Sequence, residues 1–112
     1  MSGFQEHQRA IEKFIQLFNE ENFFEAHEVL ETAWKAADEE NLRTAYQGII
    51  QIVAALVHLQ KHNPAGAGQL YEKARLKLKQ SPAVFLDGEK LLKETLAAIQ
   101  GKAAFPKVKL LP

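Results

Sequence analysis

The sequence predicts an all-α protein, a compact bundle of about five antiparallel helices with an extended C-terminal tail, in one domain over residues 1–112. Three observations carry this. Apolar residues recur at three- and four-residue spacing in successive segments. Asn, Asp, Pro and Gly stand between those segments, where helices begin and end. No stretch of any length alternates apolar and polar residues with the period of a strand. The apolar fraction, 46%, is ordinary for a globular chain and argues against disorder throughout.

The first helix is expected from about Gln5 to Asn19, with Ile11, Phe14, Ile15 and Phe18 on one face. Glu20-Glu21-Asn22 interrupts the pattern. Asn22 is an N-cap residue, and Glu25 three positions on completes a capping box. The second helix follows, about Phe23 to Ala37. At about 100° per residue, Phe23, Ala26, Leu30, Ala33, Trp34 and Ala37 share one side. His27 projects between Phe23 and Trp34, and Glu31 lies one turn later at the stripe's edge. Glu25, Glu28, Thr32 and Lys35 point away.

Asp38-Glu39-Glu40-Asn41 is an acidic connector, with Asn41 placed to cap a third helix, about Leu42 to His62. That helix is apolar over well over half its circumference, which makes it central to the fold. Its remaining strip holds Gln47, Gln51 and His58. Gly48, Ala54 and Ala55 flank the strip and would let another helix come close. Asn63-Pro64 ends it and starts a fourth helix, to about Gln80, whose inner face is Ala67, Leu70, Tyr71, Ala74 and Leu78. Ser81-Pro82 breaks the chain again. Residues 83–86 read equally as a turn of helix or as an extended link. Asp87 caps a fifth helix, about Gly88 to Gln100, with Leu92, Leu96 and Ile99 inward and Gly101 as its stop. The tail, Lys102 to Pro112, sets Phe105, Val108, Leu110 and Leu111 among lysines and prolines, and should lie across the bundle.

The absence of cysteine removes disulfides, thiolate metal sites and a cysteine nucleophile, and fits a reducing compartment. The N-terminal residues carry acids early and form no long apolar run, so a secretion signal is not expected. Ile49 to Leu59 is the longest apolar stretch, interrupted by Gln51 and His58 and too short to cross a bilayer. The expectation is a cytoplasmic protein without membrane contact. Net charge is zero, yet residues 1–60 hold four Lys/Arg against ten Asp/Glu and residues 61–112 hold ten against four. That asymmetry fits an acidic half folding against a basic half, within one chain or across a homo-oligomer interface. Lys73, Arg75, Lys77 and Lys79 read as a solvated face, and no helix-turn-helix spacing or RNA-binding signature favours nucleic acid.

His27 and Glu31, one turn apart, are the sharpest pair, with His58 and Gln51 as neighbours if the second and third helices dock on these faces. Two histidines and a carboxylate, His27, Glu31 and His58, form a credible ligand set for a divalent metal. His27 to Glu31 also resembles the HExxH zinc-protease motif with its second histidine replaced by Glu, which would make Glu28 the general base. Glu28, however, points away from the stripe. The di-iron pattern, Glu-x-x-His, fails because position 24 is Phe. Two further readings stand beside the metal site. One is a buried hydrogen-bond network of His27, Glu31 and Gln51 that fixes helix docking. The other is a ligand pocket with Trp34 as a wall. His7 and His62 lie near helix ends and read as surface residues.

The run Phe24-Glu25-Ala26-His27-Glu28-Val29-Leu30-Glu31, with Trp34 three residues on, then Tyr46 to Gln51 and Ala54 to Leu59, resembles the prokaryotic domain of unknown function family 309. Asn63 to Ala67, Leu70 and Ala74 fit as well. The resemblance implies a bundle of about five helices in a bacterial or archaeal cytoplasm and no particular activity. It also implies that His27, Glu28, Glu31, Trp34, Gln47, Gln51 and His58 belong to one constellation. The functional expectation is a non-enzymatic binding or interaction module built on that polar cluster. The alternatives are a metal-dependent or acid–base enzyme using the same residues, and a nucleic-acid accessory protein using the basic half.

Overall fold

A computed structural model describes residues 3–112, with side chains from residue 7 onward. Five helices follow one another: α1 (Gly3–Asn19), α2 (Phe23–Ala36), α3 (Glu40–Gln60), α4 (Pro64–Gln80) and α5 (Gly88–Ile99). No strand occurs among the described residues. Successive helices pack on one another, and α3 also touches α5, so α3 is the axis of the bundle. It is long and apolar enough, by length and composition, to cross a membrane. Here its apolar residues Ala45, Tyr46, Ile49, Ile52, Val53, Ala55 and Leu56 are instead buried against its neighbours. The whole has a radius of gyration of 13.1 Å, close to the ~13 Å of a compact 100-residue domain.

The helix ends show which local signals acted. Asn63 caps α4 through Oδ1, accepting from the Gly66 N–H at 3.1 Å, and Asp87 caps α5 by accepting from the Lys90 N–H at 3.0 Å. The other two expected caps are corrected. Asn22 precedes α2 but makes no capping bond, and its amide donates to Glu20 Oε1 at 3.4 Å, so no capping box forms. The cap of α3 is Glu39 rather than Asn41, its carboxylate accepting from the Leu42 N–H at 2.6 Å. Asn41 accepts from Ser81 Oγ at 3.3 Å across the bundle. Gly101, at φ +74°, ends α5 as expected. The Lys102 and Gly101 N–H groups close back on Ala97 and Ala98 O at 2.8 and 3.0 Å. The same motif ends α1 and α3 with Glu21 (φ +64°) and His62 (φ +61°) in the left-handed position.

Aromatic rings carry the packing between α1, α2 and the tail. Phe14 and Phe18 lie 5.5 Å apart, Phe18 and Phe23 5.1 Å, and Phe23 and Phe105 5.3 Å, centroid to centroid. Such pairs add ~0.5–1.5 kcal/mol each beyond buried area. The tail is extended and tied down. Asn19 donates to Val108 O and accepts from the Val108 N–H, both at 2.8 Å, and the Leu111 N–H reaches Phe85 O at 3.0 Å. Residues 83–86 form an irregular link, not a helix, and it buries Phe85 and Leu86. The buried face of α5 is Leu91, Thr95 and Ala98, one residue round from the expected Leu92, Leu96 and Ile99. His7 is half-buried rather than a surface residue, its Nε2 hydrogen-bonded to the hydroxyl of the buried Tyr46.

The contact that matters most for the site is between α3 and α4. A Cβ at Gly48 would fall 2.8 Å from Leu78 Cγ, 2.9 Å from Leu78 Cδ2 and 3.4 Å from Lys77 Cβ. Only glycine lets the helices approach this closely, and the approach brings Lys77 beside Gln47 and Gln51.

Candidate functional site

The site is a cleft of about 250 Å³ lined by Glu31 and Trp34 of α2, Gln47, Ile50 and Gln51 of α3, and Lys77 of α4. Helical periodicity explains the first five. Glu31 and Trp34 are three apart on α2, and Gln47, Ile50 and Gln51 span one turn of α3, so each group shares a face. Ile50 supplies the apolar wall. Lys77, read from the sequence as part of a solvated face, is half-buried because Gly48 draws α3 against Lys77 and its neighbour Leu78.

Two atoms distinguish this cleft. Trp34 Nε1, a donor, and Gln51 Oε1, an acceptor, are both buried from solvent and have no hydrogen-bond partner. Buried polar groups are nearly always bonded, and an indole N–H in particular seeks an acceptor. The Trp34 ring is itself held firmly. The Arg43 guanidinium carbon stands 5.0 Å from the ring centroid, and Arg43 Nη1 donates to Trp34 O at 3.2 Å and Ala37 O at 3.0 Å. One arginine therefore closes the C-terminal carbonyls of α2 and stacks on the indole. Arg43 was not singled out in the sequence, because its partners are backbone atoms brought together by the α2–α3 turn.

The remaining predicted residues separate from this group. Glu31 lines the cleft, and its carboxylate lies 3.9 Å from Lys35 Nζ, with both side chains well exposed. The network of His27, Glu31 and Gln51 does not form, since the Gln51 acceptor has no partner. His27 is half-buried one turn before Glu31 and does not line the cleft. Glu28 is exposed, its carbonyl accepting from Thr32 Oγ1 at 3.2 Å. His58 lies two turns beyond Gln51, ~10 Å along the axis, where Nδ1 meets Asn63 Nδ2 at 3.1 Å. The ligand set of His27, Glu31 and His58 is accordingly not assembled. Among the described residues no three His, Asp or Glu side chains come together as a metal ion requires. A larger groove of about 620 Å³ runs beside Leu78, Pro82, Leu86 and Leu92. None of its lining residues holds a buried polar atom without a partner.

Residues 11–70 match the family described as domain of unknown function (DUF309). The chain belongs to that family. The DUF309 segment runs from α1 into α4 and includes five of the six residues that line the cleft. Lys77 lies beyond it. The uncharacterised protein YpuF of Bacillus subtilis (strain 168) is 33% identical over 60 residues, which are 54% of this chain and 34% of YpuF. An uncharacterised protein of Aquifex aeolicus (strain VF5) is 29% identical over 68 residues, 61% of this chain and 20% of that protein. The chain thus matches 34% and 20% of these relatives' length, and neither name carries an activity.

Proposed function

We propose that this chain is a non-enzymatic binding module for a small polar molecule, and that the α2–α3–α4 cleft is where it binds. The observation that supports this most is that two residues lining one cleft, Trp34 and Gln51, each hold a buried polar atom with no partner, the donor Nε1 and the acceptor Oε1. Each unpaired group costs ~1–3 kcal/mol. A ligand that accepts from the indole and donates to the carboxamide recovers both. Arg43, stacked on Trp34, holds the ring in place before the ligand arrives, which lowers the ordering cost of binding. The cysteine-free composition supports a cytoplasmic setting.

Trp34 is the sole tryptophan, so its indole N–H gives one isolated resonance in a nitrogen–proton correlation spectrum. A library of small polar fragments should contain members that move this resonance in wild-type protein and fail to do so in Gln51→Leu. A library in which nothing moves the indole would refute the binding reading.

A further inference from the structure

We propose that the ligand is a zwitterion of amino-acid size, bound with its cationic end at Glu31 and Gln51 and its anionic end at Trp34 Nε1 and Lys77. This rests on the binding reading above and assigns its ligand class. The polar groups of the residues that line the cleft sort by chemistry. The indole N–H and the Lys77 ammonium can only donate; the Glu31 carboxylate and Gln51 Oε1 can only accept. One full charge of each sign is present, so a purely anionic ligand meets Glu31 and a purely cationic one meets Lys77. A molecule carrying both charges satisfies all four groups.

Both charges are available to it. Lys77 makes no ion pair among the described residues. Glu31 has only the long contact to Lys35 between exposed side chains, a weak interaction that leaves the carboxylate free for a second cation. Size narrows the class further. The cleft holds the volume of about eight liquid waters, below the ~300–1,000 Å³ of drug-sized pockets and suited to a single amino acid. Ile50 offers an apolar surface to its side chain. A single bound water would leave most of that volume, and both charges, unused.

The test titrates free proteinogenic α-amino acids one at a time, following the Trp34 indole resonance. Each amino acid that binds is then compared with its N-acetyl derivative, which lacks the cation, and its C-terminal amide, which lacks the anion. Each derivative should bind about tenfold more weakly or worse, the loss expected for one charged hydrogen bond. Glu31→Gln should erase the penalty for the N-acetyl group and keep that for the amide, and Lys77→Met should do the reverse. Neither side chain is buried, and unchanged melting curves would verify that the variants fold. Capped derivatives that bind as well as the free amino acid would overturn the proposal. So would a protein that ignores every amino acid while other polar fragments move the indole, and in that case the binding reading survives. If no compound of any class moves the indole, both fall.

Discussion

Replacing Gly48 with Ala sets two effects against each other. In a helix interior the change should gain ~1 kcal/mol from backbone propensity. The new methyl, however, would stand 2.8 Å from Leu78 Cγ and 2.9 Å from Cδ2. Carbon atoms in contact sit ~3.5–4.0 Å apart, so Leu78 or the whole of α4 must move by ~0.7 Å or more. Cγ is a branch point on a buried side chain, and it cannot yield as the tip of a long side chain would. Overpacking of this kind costs ~1–3 kcal/mol, which leaves a net loss near 1 kcal/mol, or ~4 °C in Tm. Gly68→Ala is the control. It lies in α4 with no atom within 4 Å of its added carbon, so it should show the propensity gain alone. Thermal and urea melts followed by circular dichroism should separate the two variants by ~2 kcal/mol. If Gly48→Ala is as stable as Gly68→Ala, the close approach of α3 and α4 is not real, and neither is its placement of Lys77.

Other expectations follow from particular contacts. Burial raises the Tyr46 phenol well above its ordinary value, and burial also raises Tyr71. Above pH ~10 the unfolded chain loses these protons first. Stability should then fall with rising pH, by up to ~1.4 kcal/mol per pH unit for each group. Below pH ~9 neither phenol should contribute a slope, and Tyr46→Phe should remove its share of the alkaline loss in denaturant melts. Arg43→Met should lose ~2 kcal/mol through its two carbonyl bonds and shift the Trp34 emission. Lys at that position should recover only part of either, since it cannot stack and fork at once. Asp87→Ala should cost ~1 kcal/mol as a lost N-cap, whereas Asn22→Ala should change stability by a few tenths at most, because no capping bond exists there.

The helices and their buried faces were legible because period and breakers agreed along most of the chain. Asn63-Pro64 and Asp87 act at α4 and α5 as their residue types dictate. The misreadings share a cause. Asn22 and Asn41 are good capping residues in isolation, but Glu39 reached the α3 amides first, and the left-handed turn at Glu21 set the entry to α2. That turn and its twin at His62 carry no glycine to announce them. α5 packs on α4 and α3, and spacing along one short helix leaves open by one residue which stripe faces them. Of the cleft, Glu31, Trp34, Gln47 and Gln51 could be read from helical spacing. His27 and His58 join them by the same helical spacing, but spacing does not fix where the docked faces meet, and both fall outside the cleft. Lys77 and Arg43 were missed because the first depends on a helix approach set by Gly48 and the second on backbone carbonyls.

The melting temperature of Gln51→Leu separates a ligand site from a docking network most directly. If Gln51 Oε1 is an acceptor kept for a ligand, leucine removes a buried orphan worth ~1–3 kcal/mol. The ligand-free protein should then melt at the same temperature or several degrees higher, while the response of the Trp34 indole to bound compounds disappears. A drop of ~4 °C or more, equivalent to ~1 kcal/mol, would mean that Gln51 holds the helices together, and would contradict the account.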